Sequence, residues 1–369
     1  MGRVRSNVPA FPSLYKGLAT TMNALWYAFA SVLLAGYVIL DGFDFGAGAL
    51  HLFVAKTDRQ RREVLAAIGP FWDGNEVWLL AAGGLLFLAF PKVLGAGLSG
   101  LYLPVFFLLW ALILRGIAME FRSHVEDAMW RGLWDIVFSL ASALPPVLLG
   151  AALGNLLRGV PLDGTGYFAL PLWTDFTARA PYGVLDGYTT LAGVLALVAL
   201  AHHGALFLAW KTEGEVHERC QNAAARLFVP LVALWLAATW ATYALRPDLF
   251  ENLADRPLAL VAALLGVAGI IGALLSRRRG QPLLAFVGSS AFLLGILVAT
   301  VTSSYPVMIR STLDPSFSLT ALNAASSAES LKTGLLWWPF GFALALAYLA
   351  LLLHIHRGKV RSPAEGEGY

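Results

Sequence analysis

Charge is what this sequence has least of. Only 13% of its 369 residues are Asp, Glu, Lys or Arg, against the roughly 25% carried by a soluble domain. So few charges leave too little polar surface to face water all round, which excludes an ordinary water-soluble globule of this size. Cysteine is scarcer still. Cys220 stands alone, so no internal disulfide can form, and its expected place is a loop, as an inert residue. The chain holds no nucleophile elbow, phosphate-cradling loop, zinc spacing or nucleic-acid module. Its net charge of +3 reports loop orientation, not a nucleic-acid partner. No cleavable leader is expected: residues 1–17 carry Arg3 and Arg5 but no long apolar run.

What fills the sequence instead is apolar residues, 58% of the chain, arranged in blocks of about 20, the length that spans a bilayer core. Nine such segments run approximately over 23–40, 78–90, 93–114, 133–153, 188–210, 227–245, 258–275, 283–301 and 335–354. The second is short unless its helix begins near Ile68 or Asp73 and carries polar residues into the membrane. The expected fold is all-α: a polytopic membrane protein with nine transmembrane helices in one bundle domain over 23–356, an N-terminal tail over 1–22 and a C-terminal tail over 357–369. Basic clusters at 56–62, 277–279 and 357–361 all fall on one side of such a bundle. By the positive-inside rule they put the N-terminus outside and the C-terminus in the cytoplasm, although Arg3, Arg5 and Lys16 argue the other way. The longest connections, about 154–187 and 303–334, then share the outer face.

Ionisable groups inside a membrane segment are expensive and need a reason. Asp41 and Asp44 close the first span, three residues apart and so on one helix face. Asp73 and Glu76 open the second with the same spacing, after Pro70. Arg115 and Glu120 end the third, and Asp135 lies near the start of the fourth. Capping accounts for some of these: Asp73 and Glu76 fit a capping pattern at a helix N-terminus. It fits Asp41 and Asp44 less well, because a helix C-terminus disfavours acids unless a cation such as Arg115 is near. As a set, the acids and Arg115 suit proton transfer from the cytoplasm.

His202 and His203 lie within the fifth span. Adjacent helical residues point about 100° apart, so both cannot face one iron. No other span interior offers a second ligand, since His51 reads as lying by the first loop and His354 and His356 as terminal. Packing or an interhelical hydrogen bond is the better reading. Trp72, Trp78, Trp130, Trp134, Trp173, Trp210, Trp337 and Trp338 fall near span ends, where an aromatic belt is expected. Trp78 differs from the rest in lying beside the acids.

The run Asp41-Gly42-Phe43-Asp44-Phe45-Gly46, followed by Phe71-Trp72-Asp73-Gly74-Asn75-Glu76-Val77-Trp78-Leu79, resembles subunit II of the cytochrome bd-type quinol oxidases. Phe90-Pro91, Ser99-Gly100-Leu101-Tyr102, Phe121-Arg122-Ser123, Trp134-Asp135, Pro145-Pro146 and Gly154-Asn155-Leu156-Leu157 extend the likeness, which is dense to about Pro161 and loose after Arg219. The resemblance implies a haem-free, nine-helix subunit packed against a subunit I that carries haems b and d. The complex oxidises quinol and reduces O2 to water with cytoplasmic protons, in the cytoplasmic membrane of a bacterium. Membrane lipid surrounds it, and a small third subunit and a structural quinone are compatible with it. Carried over by motif, Asp73 and Glu120 match acids of a proton path at the subunit interface. Asp41, Asp44, Glu76 and Arg115 belong to the same polar cluster, and Trp78 matches a tryptophan near an oxygen route. The chain departs from the pattern in its N-terminal tail and in a shortened outer loop around 248–256.

Two other classes compete with this reading. A proton-coupled secondary transporter would suit the intramembrane acids, but the chain has no internal repeat, an odd span count and acids clustered at one side. A scaffold whose acids only hold helices together would lose assembly, not turnover, when Asp73 is changed to Asn.

Overall fold

The computed structural model describes residues 11–360, with side chains from residue 20. Residues 1–10 and 361–369 of the expected tails lie outside that range, while 11–22, expected as N-terminal tail, are helical. The chain forms twelve α-helices within it: α1 (Phe11–Val54), α2 (Asp58–Ile68), α3 (Trp72–Ala89), α4 (Pro91–Gly100), α5 (Tyr102–Phe121), α6 (Ala128–Arg158), α7 (Gly187–Lys211), α8 (Gly214–Leu245), α9 (Pro247–Asp255), α10 (Pro257–Arg278), α11 (Pro282–Ser304) and α12 (Ala328–Ile355). Helix is what lipid demands, because the backbone must satisfy its own hydrogen bonds there. Starts are marked by proline in the first turn of α4, α9, α10 and α11. Side-chain caps from Thr57, Asp127, Asp186 and Ser327 open α2, α6, α7 and α12.

Among the described residues eight helices are long and apolar enough to cross a membrane: α1 from Thr20, α5, α6, α7, α8, α10, α11 and α12. The expected second span is α3. Its 18 residues reach about 27 Å at 1.5 Å per residue, but Asp73, Asn75 and Glu76 in its opening turns keep it less apolar than the others. It begins near α2, and its far end is held at the opposite end of the bundle, where Ser326 N–H donates to the Ala89 carbonyl at 2.9 Å.

Four expectations are corrected. The first span does not close at Leu40; α1 runs on to Val54, so Asp41 and Asp44 sit mid-helix. Thirteen residue steps separate Asp41 from Val54, so Asp41 lies about 20 Å from the helix end. The helix continues because Gly46 and Gly204 let α1 and α7 cross backbone to backbone: a methyl group on Gly46 would collide with the Leu200 carbonyl. The third span is interrupted at Leu101, where α4 gives way to α5. Residues 247–255 form α9, not a loop. Cys220 lies buried inside α8, likewise not in a loop.

The two longest connections meet at one end of the bundle. Val307–Ile309 (β1) pairs antiparallel with Leu319–Thr320 (β2). Val160 binds across to this ribbon, donating to the Arg310 carbonyl at 3.0 Å and accepting from Thr312 N–H at 2.9 Å. Arg158 pairs with Asp186 beneath them, and its guanidinium lies 4.7 Å from the Tyr182 ring.

Candidate functional site

Helix α1 carries a polar stripe. Tyr37, Asp41, Asp44, Gly48 and His51 follow one another at spacings of four, three, four and three, which places them on one helix face. That face is turned inward: Tyr37 is 2% exposed, Asp41 0%, Asp44 1% and His51 0%.

Its middle forms the first polar network. Arg115, fully buried on α5, donates through Nη1 to Asp41 Oδ1 at 2.6 Å and through Nη2 to Glu76 Oε1 at 2.5 Å. The Phe45 ring lies 4.3 Å beneath the guanidinium, adding cation–π attraction where water is excluded. Asn75 donates to Asp44 Oδ2 at 2.7 Å and to the Leu40 carbonyl at 3.1 Å. Three carboxylates from two helices thus face one guanidinium from a third. A buried lone charge would cost several kcal/mol; the pairing removes most of that cost and leaves the acids in excess over the one cation. Asp41 Oδ2, Asp44 Oδ1 and the Tyr37 hydroxyl are buried without a hydrogen-bond partner.

Of the six residues expected in one patch, the fold joins four: Asp41, Asp44, Glu76 and Arg115. Asp73 and Glu120 lie apart from them, exposed on α3 and α5. Asp73 does not cap α3 with Glu76. Phe71 holds the N-cap position with no side-chain cap bond, and Asp73 sits inside the first turn, where the helix dipole favours an acid. Trp78 packs where Gly36 leaves room, its ring 2.8 Å from the position a Cβ would take there, and meets Phe342 of α12 edge-on.

A second network closes the stripe at the α2 end. His51 is no loop residue: it is buried in α1, with Nε2 2.7 Å from Asp135 Oδ1. Asp135 also accepts from Arg122 Nε at 2.6 Å and Arg61 Nη1 at 2.7 Å. Arg122 reaches on to Asp58 at 2.7 Å, which Arg62 joins at 2.7 Å and Arg131 at 3.3 Å. Burial works against the Asp58 carboxylate, but Arg122, with Arg131 and Arg62, outweighs it and holds the group below the usual carboxylate range. The pairing of His51 with Asp135 had no local signal, since 84 positions separate them. Asn75, a buried amide between two acids, was visible but not singled out.

The histidine pair behaves as expected for packing. His203 Nδ1 lies 2.7 Å from Ser289 Oγ and its Nε2 lies 3.0 Å from the Ile39 carbonyl, so both nitrogens are engaged. His202 is buried against Phe228. His203 has no nitrogen left for a partner's ligand, and among the described residues no cluster of three metal-binding side chains occurs. On the other side of Tyr37 and Phe45 opens a cavity of about 350 Å³ between α1, α6, α7, α8 and α11, lined by apolar side chains such as Leu149, Trp235 and Phe292 and by the hydroxyl residues Tyr188, Thr242 and Thr300.

The family described as cytochrome bd terminal oxidase subunit II matches residues 22–356. The chain is 32% identical over 337 residues to cytochrome bd-I ubiquinol oxidase subunit 2 of Escherichia coli (strain K12), covering 84% of this chain and 88% of that one. It is 32% identical over 314 residues to cytochrome bd ubiquinol oxidase subunit 2 of Bacillus subtilis (strain 168), covering 85% and 89%. Its fold is similar to a chain of the bd oxidase from Geobacillus thermodenitrificans, with a TM-score of 0.72 at 18% identity, covering 91% of this chain and 99% of that one. With the match extending over nearly the whole helical bundle, the chain belongs to the subunit II family of the cytochrome bd terminal oxidases.

Proposed function

We propose that this chain is the haem-free, proton-handling subunit of a bd-type quinol:O2 oxidoreductase, seated in a bacterial cytoplasmic membrane with its N-terminus outside and its C-terminus inside. The observation that carries the proposal is the buried Asp41–Arg115–Glu76 and Asp44–Asn75 network with Asp73 one helical turn away on the surface of α3. Reduction of O2 to water consumes protons, and a route to the reaction needs carboxylates that stay hydrated at one end and shielded at the other. Asp73 and Glu120, exposed in this chain, are positioned to meet a subunit I and pass protons across the contact. The haems b and d belong on that partner. His203, engaged at both nitrogens, and His51, bound to Asp135, do not fit a haem.

A structural quinone fits the cavity beside Tyr37. Its walls are apolar, as an isoprenoid tail requires, with the hydroxyl residues Tyr188, Thr242 and Thr300 among them for a ring carbonyl. Trp78 lines the contact of α3 with α1 and α12, where O2 dissolved in lipid would pass. A small third subunit could cover part of the exposed apolar surface.

The test is Asp73→Asn in the assembled complex. The expected result is slowed quinol-driven O2 consumption with haem content and subunit stoichiometry unchanged. Unchanged turnover would remove the proton-path role, and loss of assembly would return the acids to a purely structural part.

A further inference from the structure

At the α2 end of the bundle the charges do not balance. Four guanidiniums, those of Arg61, Arg62, Arg122 and Arg131, share two carboxylates, Asp58 and Asp135. His51 adds no anion. Glu63, next to Arg62 on α2, has Arg59 as its neighbouring cation, and among the described residues it forms no ion pair with the four. Asp127 spends its side chain capping α6 through Trp130 N–H at 2.8 Å, and among the described residues neither it nor Glu126 pairs with these arginines. Lys56, exposed nearby, raises the positive charge further.

The guanidiniums are also under-used. Arg61, Arg62 and Arg131 each give a single hydrogen bond to a carboxylate, out of five donors per fork. The Nε of all three is buried without a partner. Arg61 and Arg131 keep 27% and 23% of their side chains exposed, so the cluster has an open side. Beside it, where α5 turns into α6, three large apolar side chains stand exposed between the polar residues Ser123, His124, Glu126 and Asp127: Phe121 is 44% exposed, Val125 44% and Met129 84%. Trp130 sits among them, donating from Nε1 to the Phe121 carbonyl at 2.8 Å, an arrangement suited to the headgroup level of a bilayer.

From this juxtaposition we propose that the Arg61–Arg131 face of the cluster binds the phosphate of an anionic phospholipid. A phosphate diester brings the missing negative charge, and its oxygens match the guanidinium fork bidentately. Its acyl chains would lie along Phe121, Val125 and Met129, which a free phosphate would leave in water. Bound there, the lipid neutralises the arginine excess and ties α2, α5 and α6 together at the point where Asp58 and Asp135 already join them.

The test uses the complete oxidase, purified with subunit I, stripped of lipid in detergent, and titrated with phosphatidylglycerol, phosphatidylcholine or inorganic phosphate while its melting temperature is followed. Phosphatidylglycerol is expected to raise the melting temperature saturably, with phosphatidylcholine and phosphate without effect. Arg61→Gln with Arg131→Gln should weaken the apparent affinity at least about tenfold, as for loss of charged hydrogen bonds. The same change at Arg279, on the exposed end of α10, should leave it unaltered. Should the double variant fail to assemble, Arg131→Gln alone decides, since it removes only the 3.3 Å bond. An equal response to phosphate would assign a free anion and overturn the lipid. An equal loss from Arg279→Gln, or no response to phosphatidylglycerol because a subunit acid already fills the site, would overturn the proposal.

Discussion

Arg115→Gln is the sharpest probe of the inner network. The guanidinium is fully buried, bound to Asp41 at 2.6 Å and Glu76 at 2.5 Å, and seated on the Phe45 ring. Glutamine can replace at most one of the two bonds and none of the charge. What remains is a set of carboxylates with no cation among apolar walls, and removing one partner of a buried pair typically costs about 3–5 kcal/mol. Asp41→Asn alone should cost less, because Arg115 keeps Glu76 as its counter-ion. The double variant should cost clearly less than the sum of the two, with a coupling of about 1–3 kcal/mol, as expected for directly bonded groups. Unfolding of the purified complex in mixed micelles, followed as the fraction of detergent that must be denaturing, gives all four corners of the cycle. Strict additivity, or an Arg115→Gln variant as stable as the parent, would refute the idea that the guanidinium offsets the buried acids.

Two further outcomes follow from the geometry. Gly46→Ala should lower the amount of assembled complex, because the new methyl would meet the Leu200 carbonyl where α1 crosses α7; overpacking of this kind costs about 1–3 kcal/mol or more, and the yield of co-purified complex measures it. Asp58 titrates below the ordinary carboxylate range because of its arginines, so its contribution to stability is complete above the unfolded pKa, near 4, and is lost as the pH falls through the lower folded value. Melting temperatures across pH 6 to 3 should therefore drop at the acid end for the parent, and less steeply for Asp58→Asn, which starts lower at neutral pH. Parallel curves would exclude Asp58 as the source.

The apolar blocks made the helices legible, and the acids beside them made the inner network legible in outline. Depth was not. The span reads as closing at Leu40 because Asp41 and Asp44 break the apolar run there. In the bundle Gly46 and Gly48 let α1 continue, pressed against α7 at Gly204 and against α6 at Ser142. Asp41 and Asp44 therefore moved from a helix end to its middle. Arg115 could be proposed as their counter-ion because it directly follows the expected third span. His51 with Asp135, and Arg122 with both Asp58 and Asp135, are joined only by the way α1, α2, α5 and α6 converge, which no local pattern encodes. Asp73 and Glu120 went the other way: their nearness in sequence to Glu76 and Arg115 suggested one patch, but a helix turns about 100° per residue, and both point outward.

The two networks on the stripe of α1 differ in the sign of their imbalance, and that difference bears on how protons would travel. The inner one has three carboxylates to one guanidinium; the one at the α2 end has four guanidiniums to two carboxylates. They are neighbours along the helix, since Asp44 and His51 are seven residues apart, about 10 Å of rise. A proton coming straight down α1 would have to cross the positive end, past a carboxylate at Asp135 already bound by Arg61, Arg122 and His51. Coulomb repulsion in a site so little hydrated makes that the costly direction. The arginine end is better suited to fastening helices and to holding an anion than to conduction. In the proposed function, protons therefore reach the inner acids from the side, by way of Asp73 and Glu120, whose exposure in the isolated chain is what a role at a subunit contact requires.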